Sequence, residues 1–463
     1  MKMKLLPIAM LLSSLLMLAS CLGDNDNEYV FDDNTAITAF QVNTVNQYLH
    51  TKAKDGSDSV YSKTLTCTTY KFYVDHLKGE IYNPDSLPVG TDAKKVMCTV
   101  TCAGSGTLTI KSMTSDSIAL FNSSDSTDFS QPRVFYVYSQ SGQHNRKYTI
   151  KVNVHRQQPD SMQWHAMPAT DVLRSMTAAK AVECGGRIYV FGTDGKTTFA
   201  VSTADGANWR NAKFSFNHTL AADAYNSIVA KGGHLYICDA GTVLRSTDGD
   251  TWEQRAQDTG ITQLVAASPY RLYAYAADGT LMASADDGTT WAAAAIDAET
   301  SLLPTTDVAS FCLPMKGTST ATRVMLIGKA AQGMAVWGKV DQTPGSSEDQ
   351  PWSYYEASSD NTHLLPALSG LTAFAYDGAA YAFGTLDGKL KSYRSEDGGI
   401  TWRTDTTVAQ PADETLATGR YALAVDAESH IWIVSLGSAT VWKGRLNRLG
   451  WATEPTSYTK NDK

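Results

Sequence analysis

Four aspartates beside predicted strands are the residues best suited to acid–base chemistry in this chain. Two carboxylates at a fixed separation can hydrolyse a glycosidic bond, one acting as acid and the other as base or nucleophile. Aspartate is also a common turn residue, because its carboxylate accepts hydrogen bonds from nearby backbone amides. The interpretation as turn residues is favoured for all four aspartates. The four aspartates are Asp171, Asp223, Asp307 and Asp377.

Motifs for other reaction types are missing from the sequence. There is no Gly-x-Ser-x-Gly, no His-Glu-x-x-His and no P-loop. The cysteines lack Cys-x-x-Cys or Cys/His spacing, so neither a metal nor a cofactor is predicted. Buried free thiols are favoured, and a disulfide from Cys67 to Cys98 or Cys102 stays open. The cysteines beyond position 21 are Cys67, Cys98, Cys102, Cys184, Cys238 and Cys312.

The first residues predict export and lipid attachment. Two lysines precede an apolar run of 16 residues, 5–20, which is short for a membrane span and typical of a signal peptide. The run ends in Leu-Ala-Ser before Cys21, which resembles a bacterial lipoprotein box. This resemblance implies cleavage before Cys21 and acylation of its thiol. The acidic stretch that follows resembles the signal that carries Bacteroidetes lipoproteins to the cell surface.

Composition limits the remaining function classes. The net charge is −8, which argues against nucleic-acid binding. The mature chain is too long for one ordinary core, so two domains are expected. We predict an all-β chain: signal peptide 1–20, acidic tether 21–33, β-sandwich 34–156 and β-propeller 162–455.

The first predicted domain consists of short strands and turns. Period-two runs rich in β-branched and aromatic residues occur at 71–75, 95–101, 133–138 and 147–154. Strands at this spacing favour a β-sandwich. The segment 79–92 and the closing strand resemble Ig-like or cadherin-like modules of Bacteroidetes lipoproteins of undefined function. That resemblance implies a spacer or docking module.

The second predicted domain is a tandem repeat marked by tryptophan. The marker tryptophans are separated by 45, 43, 39, 61, 50 and 49 residues. Most intervals contain a small-residue strand, an apolar strand, a third strand and a strand that starts at the tryptophan. Four strands per repeat are typical of a propeller blade. Six intervals predict six blades. Seven blades is the alternative, because seven tryptophan-led strands are present; the Trp164 strand could instead complete the last blade.

A turn that ends in tryptophan occurs four times and resembles the Asp-box, Ser-x-Asp-x-Gly-x-Thr-Trp. Serine and aspartate can accept bonds from local amides, glycine can adopt a positive φ, and tryptophan packs between strands. A structural role is expected for each copy. The residues are Ser202, Asp205, Gly206 and Trp209; Ser246, Asp248 and Trp252; Ser284, Asp286, Gly288 and Trp291; and Ser395, Asp397, Gly399 and Trp402.

Asp-boxes occur in sialidases, related glycoside hydrolases, sortilin-type receptors and photosystem-assembly propellers. The resemblance therefore implies the fold more than a function. A sialidase-like site needs three arginines around a carboxylate, a tyrosine nucleophile and an acidic helper, and the sequence groups none of these. Its candidates by residue type are Arg187, Arg271, Arg323 and Arg420 for the clamp and Tyr225, Tyr270, Tyr376 and Tyr421 for the nucleophile.

The sequence therefore predicts an outer-membrane surface lipoprotein, anchored through acylated Cys21, that binds or interacts rather than catalyses. Glycan capture is the leading function, by analogy with the habitat of such proteins. The alternatives are a sialidase-like glycoside hydrolase and a structural scaffold for an outer-membrane complex. A glycan or a surface protein is the expected partner.

Overall fold

A computed structural model describes residues 31–451 of the chain. Cys21, the predicted signal peptide and most of the predicted tether lie outside the described residues. The chain divides into two compact units, Met1–Arg156 with Thr453–Lys463, and Gln157–Ala452. No helix in the described part is long and apolar enough to span a bilayer. Within 31–451, positions 54, 56, 216, 217, 316, 347, 348, 357, 359, 437 and 439 are not described.

The first unit contains ten described strands in three sheets. The sheets have the orders β1-β6, β2-β3 and β4-β5-β10-β9-β7-β8. The strands are β1 Ile37–Val42, β2 Thr44–Lys52, β3 Asp58–Thr66, β4 Tyr73–Asp75, β5 Glu80–Tyr82, β6 Cys98–Cys102, β7 Thr107–Lys111, β8 Ile118–Leu120, β9 Arg133–Tyr138 and β10 Asn145–Lys151.

One hydrophobic core joins the β1-β6 pair to the six-stranded sheet. Phe40 from β1 packs in the same cluster as Phe135 from β9 and Tyr148 from β10. Strand β9 buries every second residue, as its period-two sequence requires. Alternating strands from two sheets thus bury one face each, which is the arrangement of a β-sandwich.

The second unit contains six described four-stranded antiparallel sheets, which are the propeller blades. The strands of blades 1–3 are β12 Ala178–Cys184, β13 Arg187–Thr193, β14 Thr198–Thr203 and β15 Arg210–Asn211; β16 Val229–Lys231, β17 His234–Asp239, β18 Thr242–Ser246 and β19 Trp252–Ala256; β20 Ile261–Ala267, β21 Leu272–Ala276, β22 Leu281–Ser284 and β23 Ala292–Ala293.

Blades 4 and 5 repeat this order, and blade 6 combines the two ends of the unit. Their strands are β24 Thr306–Pro314, β25 Ala321–Ala330, β26 Gly333–Gln342 and β27 Ser353–Tyr354; β28 Ser369–Tyr376, β29 Ala379–Leu386, β30 Lys389–Ser395 and β31 Arg403–Thr404; and β32 Tyr421–Val425, β33 Ile431–Ser435, β34 Thr440–Leu446 and β11 Met162–Pro168.

Ring closure explains why seven marker tryptophans correspond to six blades, since Trp451 follows the 3₁₀ helix Asn447–Gly450 and begins no described strand. Strand β11, which contains Trp164, pairs antiparallel with β34 from Met162↔Leu446 to Pro168↔Thr440. The first strand of the unit is therefore the outermost strand of its last blade. The short helix α1, Asp171–Ser175, follows β11 and is capped by Thr170. The prediction of an all-β chain ending in a six-bladed propeller is confirmed.

Strand position within a blade matches side-chain size. The second strands are packed on both faces, and β33 is buried along its whole length, which explains its continuous apolar sequence Ile-Trp-Ile-Val. The first strands line the central channel. Their alanines, as in β12 (Ala-Ala-Lys-Ala-Val-Glu-Cys), leave that channel open. The 3₁₀ helices are Ala224–Ser227, Thr300–Leu302, Glu414–Thr418 and Asn447–Gly450.

Candidate functional site in the propeller channel

The four tryptophan turns, defined as 203–209, 246–252, 284–291 and 395–402, contain internal hydrogen bonds. In the last one, the Gly399 amide donates to Ser395 Oγ at 2.8 Å. The Thr401 amide donates to Asp397 Oδ1 at 2.9 Å, and the Trp402 indole donates to the Gly399 carbonyl at 2.9 Å. Asp286 and Asp248 accept from backbone amides in the same way in their turns.

The first tryptophan turn begins one residue later than the sequence predicts. The Gly206 amide donates to Thr203 Oγ1 at 2.8 Å, while Ser202 Oγ accepts from Arg187. Adjacent strand residues point to opposite faces, so Ser202 cannot reach the turn. Counted from Thr203, this turn has the seven-residue length of 246–252, with Asp205 at the aspartate position. The other two turns have an eighth residue at positive φ, Asp287 and Gly398.

Each tryptophan turn is packed against the preceding blade. A Cβ added at Gly206 would lie 2.5 Å from Met167 Sδ of blade 6, and one at Gly249 would lie 2.6 Å from the Tyr189 ring of blade 1. Only glycine fits this approach at a positive φ. Gly288 and Gly399 pack in the same way on blades 2 and 4. The turns therefore join blades.

Ion pairs join the blades where no tryptophan turn is present. Between blades 3 and 4, Arg271 pairs with Asp341, which is fully buried, and with Asp349 at 2.7 Å. Between blades 5 and 6, Arg448 forms a bidentate pair with Asp377. Arg271 and Asp377, which the sequence offered as candidate site residues, therefore have structural roles between blades.

The central channel is a cavity of about 790 Å³ lined by the first strands of all six blades. These first strands run in the same direction around the axis, because the blades repeat one topology. We call the end where they begin the channel entrance. Its polar residues are Lys180, Tyr225, Asn226, Gln263, Asp307, Arg420 and Tyr421.

Lys180 is the central cation of the channel entrance. Its Nζ donates to the Asn226 carbonyl at 3.0 Å, and Gln263 Nε2 approaches the same oxygen at 3.5 Å. Burial among the inner strands lowers the pKa of Lys180 to about 8, because removal from water disfavours the ammonium. The one described hydrogen bond of the Lys180 ammonium therefore goes to a neutral acceptor.

The entrance also contains an acid and two tyrosines. Asp307 adopts a positive φ of 53° at a β-bulge in β24 and pairs with Lys329 at 3.0 Å. Burial, together with Asp307, raises the pKa values of Tyr225 and Tyr421. The Tyr421 hydroxyl is buried and has no described hydrogen-bond partner.

The described residues do not assemble the arginine clamp of a sialidase. Arg420 alone of the four candidates lines the channel. Arg187 bonds Ser202, Arg271 forms the joint between blades 3 and 4, and Arg323 donates to the Asp397 carbonyl. Of the candidate tyrosines, Tyr225 and Tyr421 line the channel, whereas the Tyr376 hydroxyl accepts a hydrogen bond from the Leu446 amide.

The four candidate aspartates are likewise dispersed. Asp171 pairs with Arg174 at the start of α1, Asp223 precedes the 3₁₀ helix Ala224–Ser227, and Asp377 pairs with Arg448. Asp307 lines the channel. The other carboxylate there is Glu183, which lies farther along β12 and accepts from the Gly186 amide at 2.8 Å.

Cysteines and possible metal ligands add no further site among the described residues. No cluster of three His, Cys, Asp or Glu side chains that could hold a metal occurs in the described part of the chain. The six described cysteines are free. Burial raises the pKa of Cys98 to about 12, which keeps its thiol protonated and unreactive.

Lys180 was missed by the sequence analysis. The sequence signal for this residue is a single lysine among the alanines of an inner strand, β12. Lysine is common on exposed strand faces, so the signal gains meaning only when the strand is known to line the channel.

The larger unit is thus a six-bladed β-propeller with a polar channel entrance, attached in sequence to a β-rich unit. The chain belongs to the DUF6242 family. Residues 158–454 match the model described as the DUF6242 beta propeller domain. Residues 40–152 match the model described as the N-terminal domain of the same domain of unknown function.

Solved propeller structures resemble the second unit distantly. YCF48 from Cyanidioschyzon merolae is 15% identical, covering 61% of this chain and 98% of that one, with a TM-score of 0.32. A carbohydrate-active enzyme of family AA12 from Trichoderma reesei is 12% identical over 62% and 96%, with a TM-score of 0.37.

The six-bladed fucose-binding lectin of Aleuria aurantia is 12% identical over 55% of this chain and 70% of that one, with a TM-score of 0.26. No curated protein matches the chain. Similarity at these levels does not transfer a ligand or a reaction.

Proposed function

We propose that this protein is a surface lipoprotein whose propeller captures a glycan at the channel entrance. The observation that carries the proposal is the open cavity of about 790 Å³, to which all six blades contribute. Small-molecule sites usually have volumes of about 300–1,000 Å³ and combine apolar walls with a few oriented polar groups. One or two sugar rings fit this range.

The side chains at the entrance suit a polyol. Lys180 and Gln263 present donors, Asp307 presents acceptors, and Tyr225 presents a half-buried aromatic ring. Sugars bind by hydrogen bonds to their hydroxyls and by stacking of their C–H faces on aromatic rings. Because Lys180, Gln263 and Asp307 stand on strands and Tyr225 on a short 3₁₀ helix, little ordering entropy is lost on binding.

Binding is favoured over sialidase-like hydrolysis by the placement of the arginines. Arg187, Arg271 and Arg323 each have a described partner away from the channel. A carboxylate clamp would require these side chains to leave their partners. Protein docking by a scaffold is one outcome of the test below.

A glycan array tests capture directly. The full chain, purified in detergent, is applied to sialylated, mucin-type and plant polysaccharide glycans. Selective binding that is lost on substitution of a channel residue such as Gln263→Leu supports the proposal. A blank array at high protein concentration contradicts it and favours protein docking, to be followed by cross-linking at the outer membrane.

The proposed lipid anchor has a separate test. In cells fed an alkyne-labelled fatty acid, the wild-type chain should incorporate label and Cys21→Ala should not. Protease added to intact cells should then digest the wild-type protein if it faces the exterior. Absence of label from the wild type would contradict lipid attachment at Cys21.

A further inference from the structure

We propose that the channel entrance selects glycans that carry a carboxylate, and that Lys180 binds this group. The inference rests on the glycan capture proposed above and specifies the ligand class of the same site. It is carried by a positive charge that the protein itself leaves uncompensated inside the channel.

The first step is the set of contacts of Lys180. An ammonium has three donors, and the structure gives this one a single described acceptor, the neutral Asn226 carbonyl at 3.0 Å. Burial alone accounts for its lowered pKa, and no carboxylate lies close enough to offset it. Lys180 is half-buried in the channel, and an anionic ligand group there would gain a strong charge-assisted bond.

The second step is the charge of the groups around Lys180. Asp307, the acid of the entrance, is paired with Lys329 at 3.0 Å. Glu183 lies farther along β12, where it bonds the Gly186 amide. Arg420 follows at the rim with no described ion-pair partner and adds positive charge. Lys180 and Arg420 are therefore lining cations with no described ion-pair partner, whereas the lining carboxylate Asp307 has one.

The third step is a second donor beside Lys180. Gln263 Nε2 lies 3.5 Å from the same Asn226 carbonyl that Lys180 Nζ contacts, so an amide donor stands next to the ammonium. A carboxylate has two oxygens, which suits one ammonium and one amide donor.

Calorimetry with matched probes tests the proposal on the full chain in detergent. The acidic probes are sialyllactose and trigalacturonic acid; the neutral probes are lactose and the methyl ester of trigalacturonic acid. Loss of one charge-assisted hydrogen bond weakens binding by about tenfold or more. We therefore expect an acidic probe to bind at least about tenfold more tightly than its neutral counterpart.

Variants assign the effect to Lys180. Lys180→Met should abolish the preference for the acid, and Lys180→Arg should retain it because the charge remains. Lys213→Met removes an exposed lysine of the same unit and should leave the affinities unchanged. A preference that survives Lys180→Met would overturn the role of Lys180.

The pH dependence gives a second readout that needs no variant. Because the carboxylate binds the ammonium form, affinity should be constant below about pH 8 and fall above it, by up to about tenfold per pH unit. The ester should show no such fall. The groups in contact around Lys180, Asn226 and Gln263, do not titrate. Tyr225 adjoins Asn226, and burial raises its pKa, so it stays neutral in this range. The charged groups that line the same cavity are Asp307, Arg420 and Glu183.

The outcomes separate this inference from the function on which it rests. Equal affinities for acid and ester, or selective array binding to neutral glycans, overturn the carboxylate inference and leave glycan capture in place. Tight binding of a sulfated glycan, without binding of any carboxylated glycan, also overturns the carboxylate inference. Binding of no glycan, or equal binding of a polyglutamate peptide, overturns glycan capture as well.

Discussion

Single side chains decide the conformation of the tryptophan turns. In the first turn the buried Gly206 amide depends on the Thr203 hydroxyl, not on Ser202. Motif matching assigns the serine because serine is the usual first residue. Hydrogen-bond geometry assigns the threonine because only its side chain is on the correct face of the strand.

Substitution separates these two assignments. Thr203→Ala should lower the free energy of unfolding by about 1–2 kcal/mol, because a buried amide loses its acceptor. Ser202→Ala should cost clearly less, because its described side-chain bond is a 3.3 Å contact from Arg187. Denaturant titration of both variants measures the difference. An equal or larger loss for Ser202→Ala would contradict the assignment of Thr203.

Lys180 should make stability depend on pH in the alkaline range. Its pKa falls from 10.5 to about 8 on folding, so between these values the unfolded chain binds more protons than the folded one. The contribution of Lys180 to the free energy of unfolding therefore rises with pH across that window and is lowest below about pH 8.

Lys180→Met should consequently stabilise the propeller near pH 7. The gain should be about 1–3 kcal/mol, below the full value of the shift because channel water reaches the side chain. The difference from the wild type should shrink as the pH approaches 10.5. Thermal unfolding of both proteins at several pH values measures it. A difference that does not change with pH would contradict the buried-cation interpretation.

Blade joints are the element-scale feature of this propeller. Four joints use tryptophan turns, whose glycines pack on the preceding blade. The joint between blades 3 and 4 uses Arg271 and Lys339 around Asp341 and Asp349 instead. The longest interval between marker tryptophans, 61 residues, ends at Trp352. In this interval an ionic network therefore takes the place of the hydrogen-bonded turn.

Breaking this network should be costly. Asp341→Asn removes the negative charge of a fully buried carboxylate, so the buried Arg271 loses this counter-ion. Loss of one partner of a buried pair costs about 3–5 kcal/mol, and the pair that Arg271 keeps with Asp349 should hold the loss near the lower end of that range. The matched control is Asp171→Asn, which breaks the exposed pair with Arg174 and should change little. Urea titration distinguishes the two, and similar small losses would contradict a structural role for Asp341.

The whole molecule combines two units with separate cores. The first core contains described residues between Ile37 and Val154. The propeller is closed by β11, which comes from the start of its own sequence range and completes blade 6. The first and last strands of the propeller in sequence are thus hydrogen-bonded neighbours in one sheet.

Truncation tests this closure. A chain starting at residue 157 should keep a cooperative unfolding transition, because all six blades are complete. A chain starting at residue 170 lacks β11 and should lose that transition or unfold at a markedly lower temperature. Differential scanning calorimetry measures both. Equal stability of the two truncated chains would contradict closure by β11.

The sequence alone determined the all-β class and the repeat, and it favoured six blades over seven. Tryptophan spacing and strand periodicity are local properties, so they survive without tertiary information. The roles of Arg271, Asp377 and Lys180 could not be obtained this way, because each depends on residues 46 to 78 positions away. Only the closed ring brings six first strands around one channel. That arrangement turns one lysine among alanines into an enclosed cation.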